Sequence, residues 1–142
     1  MPTARTSFLL SSEPLDESVA GLFLRSTNSG AEVLFQGVAR RNTSDRTVLH
    51  LVFEAYEPMV LKEWDAMTEK AFSQWDLHRI LVHHRTGWVM PGEVAVMVAV
   101  AARHRAPAFE ACTWLMDELK RTVPIWKKEV FSDGSQWVNP HP

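Results

Sequence analysis

A chain of 142 residues with no Gly/Pro/Ser-rich linker is expected to form a single domain, residues 1–142, able to bury roughly two thirds of its unfolded surface. A formal charge of −2 excludes general affinity for nucleic acid or an anionic membrane, which rests on summed positive charge. The longest apolar run, Val94 to Ala102, is about half of a membrane-spanning helix, and Phe8-Leu9-Leu10 is too short for a signal peptide, so a cytoplasmic location is expected.

In chain order, Ser12-Glu13-Pro14 offers a helix start, and Leu15, Val19, Leu22 and Phe23 recur at helical spacing, predicting a first helix over about 14–25. After Asn28-Ser29-Gly30, the β-rich stretch Glu32 to Arg40, the polar Asn42 to Asp45 and the strand-like Thr47 to Tyr56 together suggest a hairpin with a mobile tip. From Pro58 to Trp75, apolar residues at steps of three and four predict an amphipathic helix that covers a sheet. Leu77 to Arg85 and Glu93 to Ala102 read as two strands around Gly87 and Pro91-Gly92. The second is apolar almost throughout, so it is central or lies at a subunit interface. A last long helix begins near Ala106-Pro107, turns Phe109, Cys112, Leu115, Met116 and Leu119 inward, and stops at Pro124. Ile125 to Phe131, the turn Ser132-Asp133-Gly134 and Trp137 then suggest a small C-terminal hairpin. The expected class is α+β, a mixed, mainly antiparallel sheet with packed helices.

Two groups of basic residues carry candidate chemistry. Arg103-His104-Arg105 falls where a strand ends and a helix begins, so helix-start amides and basic side chains could converge on one anion; a solvated basic corner is the plainer alternative. Lys120 sits beside the buried face of its helix, and Trp126 could anchor the chain so that Lys127 or Lys128 is aimed. A lysine held against apolar surface serves as acid, base or nucleophile, whereas lysines at a helix end that point into water favour only the helix dipole. Spacing leaves both pairs of alternatives open.

His83-His84 is a poor metal pair, because consecutive strand residues point to opposite faces, and no metal is expected. The single Cys112 cannot form an internal disulfide and reads as a buried apolar residue. The six Trp lack a basic stripe between them and read as core or interface residues. The chain has no glycine-rich phosphate loop, no G-x-S-x-G and no H-E-x-x-H.

Six segments in order resemble the molybdopterin synthase large-subunit family: Phe35-Gln36-Gly37-Val38-Ala39-Arg40, Tyr56-Glu57-Pro58-Met59, His84-Arg85-Thr86-Gly87, Pro91-Gly92-Glu93, His104-Arg105 with Ala108-Phe109-Glu110-Ala111, and Leu119-Lys120 leading to Pro124-Ile125-Trp126-Lys127-Lys128-Glu129. Asp133-Gly134 and Trp137-Val138 close the series, so the resemblance covers about 30–138. It implies a hammerhead-like fold and a homodimer within a heterotetramer. Each large subunit would be bound by a ubiquitin-like small subunit whose C-terminal Gly-Gly tail carries a thiocarboxylate. The implied substrate is cyclic pyranopterin monophosphate, which receives two sulfurs to become the dithiolene of molybdopterin, with no cofactor in this chain.

On that resemblance Lys120 and Lys127 are the catalytic lysines, while Arg40, His104 and Arg105 clamp the substrate phosphate and the incoming tail through charge-assisted hydrogen bonds. Lys128 matches a position taken by either Lys or Arg in the family, which implies a charge contact. Ala39 and Arg103 depart from the family pattern without removing a functional group. Where some members have an arginine beyond the Trp-Val pair that reaches the neighbouring protomer, the nearest basic group here is His141.

Overall fold

The computed structural model describes residues 4–138. Its elements in chain order are β1 (Thr6–Ser11), α1 (Glu17–Leu24), β2 (Ala31–Val38), β3 (Asn42–Thr43), β4 (Arg46–Ala55), α2 (Glu57–Gln74), β5 (Leu77–Arg85), β6 (Gly87–Val89), β7 (Val94–Ala102), α3 (Arg105–Thr122), β8 (Ile125–Phe131) and β9 (Gly134–Val138). The expected α+β class, the long helices and the small C-terminal hairpin are all present. Two sheets, rather than one, carry them.

The main sheet has the order β1-β5-β7-β2, parallel between β1 and β5 and antiparallel elsewhere. Its centre explains the apolar run of β7. Val96, Val98, Val100 and Ala102 face one layer of helices, packing with Val60, Trp64, Met67 and Ala71 of α2 and with Ala108, Ala111, Cys112, Leu115 and Leu119 of α3. The alternate residues Met97, Ala99 and Ala101 meet Ala20 and Leu24 of α1 on the other side. A strand covered on both faces has no polar position to alternate with.

The second sheet runs β3-β4-β8-β9, with β6 also paired to β4. Its inner side chains Val48, Leu51, Phe53 and Phe131 pack with Ala39, Val89 and Ala95 as a smaller core. Ile125 is packed against both this core and the larger one.

Local departures from the sequence reading have physical causes. The N-terminal Phe8-Leu9-Leu10 lies in β1, whose residue Phe8 meets the fully buried Trp64 edge-on at 5.8 Å. Helix α1 starts at Glu17 instead of near Pro14, because the Asp16 carboxylate accepts the Ser18 amide at 3.0 Å and so caps it. Its buried face is Ala20 and Leu24, leaving Leu22 80% exposed. On α3, Phe109 likewise faces outward. The expected β2–β4 hairpin does not form: β2 joins the main sheet through β7, and the turn belongs to β3–β4. Ser44 and Asp45 occupy its two central positions with φ of 49° and 64°, the left-handed pair that a tight two-residue hairpin requires.

Candidate functional site

A cleft of about 360 Å³ opens where the end of the main sheet, the second sheet and the last turn of α3 meet. Three sets of residues build it, each delivered by a different element.

Helix α3 ends after Thr122, ahead of Pro124, so its last turn brings Met116, Leu119 and Lys120 to the cleft. Leu119 is buried and Lys120 exposed, so the helix pins the stem of the turn while the ammonium keeps its hydration. Strand β8 supplies Lys127 by parity: Ile125, Lys127, Glu129 and Phe131 share the inner face, with Glu129 and Phe131 buried, and Lys127 stands opposite Phe53 of β4. Lys120 and Lys127, from two elements, thus line one cleft.

The end of the main sheet provides the floor. Gly37, Val96 and His84 are cross-strand neighbours on β2, β7 and β5, and all three line the cleft. Beside Gly37 the β2–β7 register shifts by a bulge, and the Gly37 α-carbon packs so closely that an added Cβ would stand 2.6 Å from Val96 Cγ1. His84 is almost wholly buried. Its Nδ1 lies 2.6 Å from the Arg85 carbonyl oxygen, which only accepts, so Nδ1 carries the proton. Burial pushes the imidazole pKa down to about 4, partly opposed by that hydrogen bond, so the ring is neutral at physiological pH. The remaining wall is apolar, with Phe35, Val38, Leu51 and Phe53 contributing. Such a wall lowers the local dielectric and strengthens the field of two ammonium groups.

The other basic candidates lie apart from these lysines within the protomer. Arg40 is exposed, one residue beyond Ala39, which lines the cleft and is fixed by backbone bonds to Glu93 and Gly92. Lys128 is on the opposite face of β8 from Lys127, its Nζ 4.8 Å from the centroid of the Trp137 ring. His104 and Arg105 are exposed at the first turn of α3, whose length to Lys120 is about 22 Å at about 1.5 Å per residue. The neighbouring Arg103 is 3.8 Å from the Asp76 carboxylate. His141 lies outside the described residues.

Strand alternation places two further residues. Glu129, outside the cleft lining, is buried with Oε2 unpartnered among the described residues, two positions from Lys127 on the same face. Strand parity from Lys127 is the signal that finds it. His84 belongs to one of the segments that carry the family resemblance and to a weak metal pair, neither of which gives it a site role; the alternation that separates it from His83, whose Nε2 meets Ser7 Oγ at 3.0 Å, also sends it into the cleft. Among the described residues no cluster of three or more His, Cys, Asp or Glu side chains could hold a metal ion. Cys112 is buried beneath α3, and burial raises its thiol pKa to about 11. No helix among the described residues is long and apolar enough to cross a membrane.

Comparison with known proteins places this geometry among relatives. Residues 10–122 match the family model described as MoaE protein. A molybdopterin synthase catalytic subunit from Arabidopsis thaliana is 44% identical over 115 residues, which is 81% of this chain and 58% of that protein. The chain therefore spans little more than half of that plant relative. A molybdopterin synthase catalytic subunit from Pyrococcus abyssi is 37% identical over 124 residues, 87% of this chain and 82% of its own length. The crystal structure of molybdopterin synthase from Staphylococcus aureus superposes with a TM-score of 0.85 at 30% identity, covering 97% of this chain and 98% of that one.

Proposed function

This chain belongs to the MoaE family, and on that premise we propose that it is the catalytic subunit of a molybdopterin synthase. It takes sulfur from the C-terminal thiocarboxylate of a ubiquitin-like small subunit and places it on cyclic pyranopterin monophosphate, forming the dithiolene in two successive transfers. The observation that carries the reading is the meeting of Lys120 and Lys127 in one apolar-walled cleft. Both reactants are anionic, and two ammonium groups held beside an apolar wall stabilise the negative charge that develops on the attacked acyl group. The same amines move protons as water leaves the pterin side chain and the spent acyl tail is hydrolysed. The buried Cys112 suits a reaction in which the sulfur arrives from outside, and a reduced lone thiol suits the cytoplasm.

The anion clamp divides in this reading. Arg40 serves the cleft of its own protomer from the rim. His104 and Arg105, about 22 Å along α3 from Lys120, reach a phosphate held there only from the second copy of a homodimer. Lys128 supplies a charge contact on the outer face of β8.

The test mixes the purified chain with thiocarboxylated small subunit and cyclic pyranopterin monophosphate, and measures dithiolene product after oxidation to a fluorescent derivative. Product that requires all three components is the expected outcome. A stable complex with the small subunit but no product would instead make the chain a non-catalytic docking module for the tail.

A further inference from the structure

The polar side chains that line the cleft are unequal in kind. Lys120 and Lys127 carry ammonium groups, which donate hydrogen bonds and accept none. They select carboxylate, thiocarboxylate, phosphate and carbonyl oxygen, and they accept no hydrogen bond from the N–H and O–H groups of a ligand. His84 differs. Its Nδ1 proton is spent on the Arg85 carbonyl, and the Nε2 of a neutral ring is a bare acceptor. No hydrogen-bond partner for Nε2 occurs among the described residues, and the ring lines the cleft. Phe53, edge-on to the imidazole at 4.9 Å, holds the ring plane from the second sheet.

We propose that His84 is a binding residue of this cleft: its Nε2 accepts a hydrogen bond from an N–H or O–H group of the ligand held against Lys120 and Lys127. The proposal rests on the functional reading above and adds to it the one acceptor among the polar side chains that line the cleft from the described residues. The placement follows from the sheet. His84, Val96 and Gly37 form a row across three strands, and the row ends at a residue without a side chain on the edge strand β2. The Val96 side chain fills the space above Gly37, so the row is a packed apolar floor with the imidazole at its inner end. Holding the ring neutral has a second effect, since a third positive charge beside two lysines would repel them and could only donate. The donor on the ligand has two sources with the same chemistry, a ring N–H or hydroxyl of the pterin substrate or a backbone amide of the incoming glycine tail.

Two variants separate this role from a structural one. In His84→Asn the side-chain amide reaches the position of Nδ1 and keeps the bond to the Arg85 carbonyl, but nothing reaches the position of Nε2. In His84→Gln the amide oxygen reaches the position of Nε2, while the Arg85 carbonyl loses its donor. Calorimetric titration of each folded variant with cyclic pyranopterin monophosphate, and separately with the small subunit, reads the two sources. We expect His84→Asn to weaken binding of one of these ligands by about 3- to 10-fold, the size of one neutral hydrogen bond, and His84→Gln to bind it nearly as the parent chain does. A rise confined to the pterin assigns the donor to the substrate, and one confined to the small subunit assigns it to the tail. Parent-like binding of both ligands by His84→Asn, or weaker binding by His84→Gln than by His84→Asn, would overturn the proposal in favour of a structural histidine. Failure of the parent chain to bind either ligand would overturn the functional reading itself, and with it the ligand assigned to His84.

Discussion

Lys120 is exposed at the end of a helix, and the residue that packs into the core there is the preceding Leu119 rather than the lysine itself. Lys120→Ala is therefore expected to leave the fold and small-subunit binding intact while lowering turnover by about 10²- to 10³-fold, the cost of losing one positioned electrostatic group; stopped assays of dithiolene formation check it, and parent-like turnover would remove Lys120 from the chemistry. The buried histidines make a separate prediction. Burial lowers the pKa of His83 and, to about 4, that of His84, so in acid the unfolded chain binds protons that the folded chain refuses. Stability is then level above about pH 6.5 and falls as the pH drops from there towards 4. Scanning calorimetry across that range should show the decline, and a shallower one in His84→Asn. Both lysines were legible in the sequence through the family resemblance. That Lys127 faces inward and Lys128 outward was legible in principle from strand alternation, while the role of His84 was hidden because its neighbour is also histidine and the pair invites a metal reading.

Among the elements, the long helices and apolar strands announced themselves by period, and the short or edge elements did not. β1 offers six residues with no turn signal, and its pairing partner β5 lies some seventy positions away, so nothing local marks it as a strand. α1 has a weak stripe because its inward residues include the small Ala20, and the larger Leu22 misleads. One junction is stiffer than its sequence suggests. Gly30 donates its amide to the Ala102 carbonyl at 3.0 Å, and a Cβ there would stand 2.5 Å from the Arg103 carbonyl oxygen, a backbone atom that cannot swing aside. Gly30→Ala should thus cost about 1–3 kcal/mol by forcing β2 away from the end of β7, read as a lowered midpoint in urea. Because Arg103 leads directly to His104 and Arg105, the same change should loosen the basic corner.

At the scale of the whole molecule, the division into two sheets was not legible. β2 and β4 are neighbours in the sequence and both alternate, yet β2 pairs with β7 more than sixty residues on, a choice made by long-range packing. The cleft is a product of that division, since it lies on the seam between the two cores, where Ile125 touches both. A ligand bridging Lys120 on the α3 side and Lys127 on the second sheet binds only when the halves are docked. At about 100 times its dissociation constant, cyclic pyranopterin monophosphate should add about 2.7 kcal/mol to folding stability and raise the melting temperature by roughly 5–10 °C. No shift in differential scanning fluorimetry would show that the folded chain alone does not hold the pterin, and would count against the cleft as its site.

The burial of Cys112 under α3 has a practical corollary. A subunit that handles sulfur should offer no thiol to alkylating agents or thiol oxidants, since its one cysteine is both sealed from solvent and too weakly acidic to form thiolate at neutral pH. Chain treated with iodoacetamide and then freed of reagent should retain full turnover and an unchanged mass. On the proposed function the thiol chemistry of the reaction then rests with the sulfur donor, and this chain needs no thiol reductant in storage.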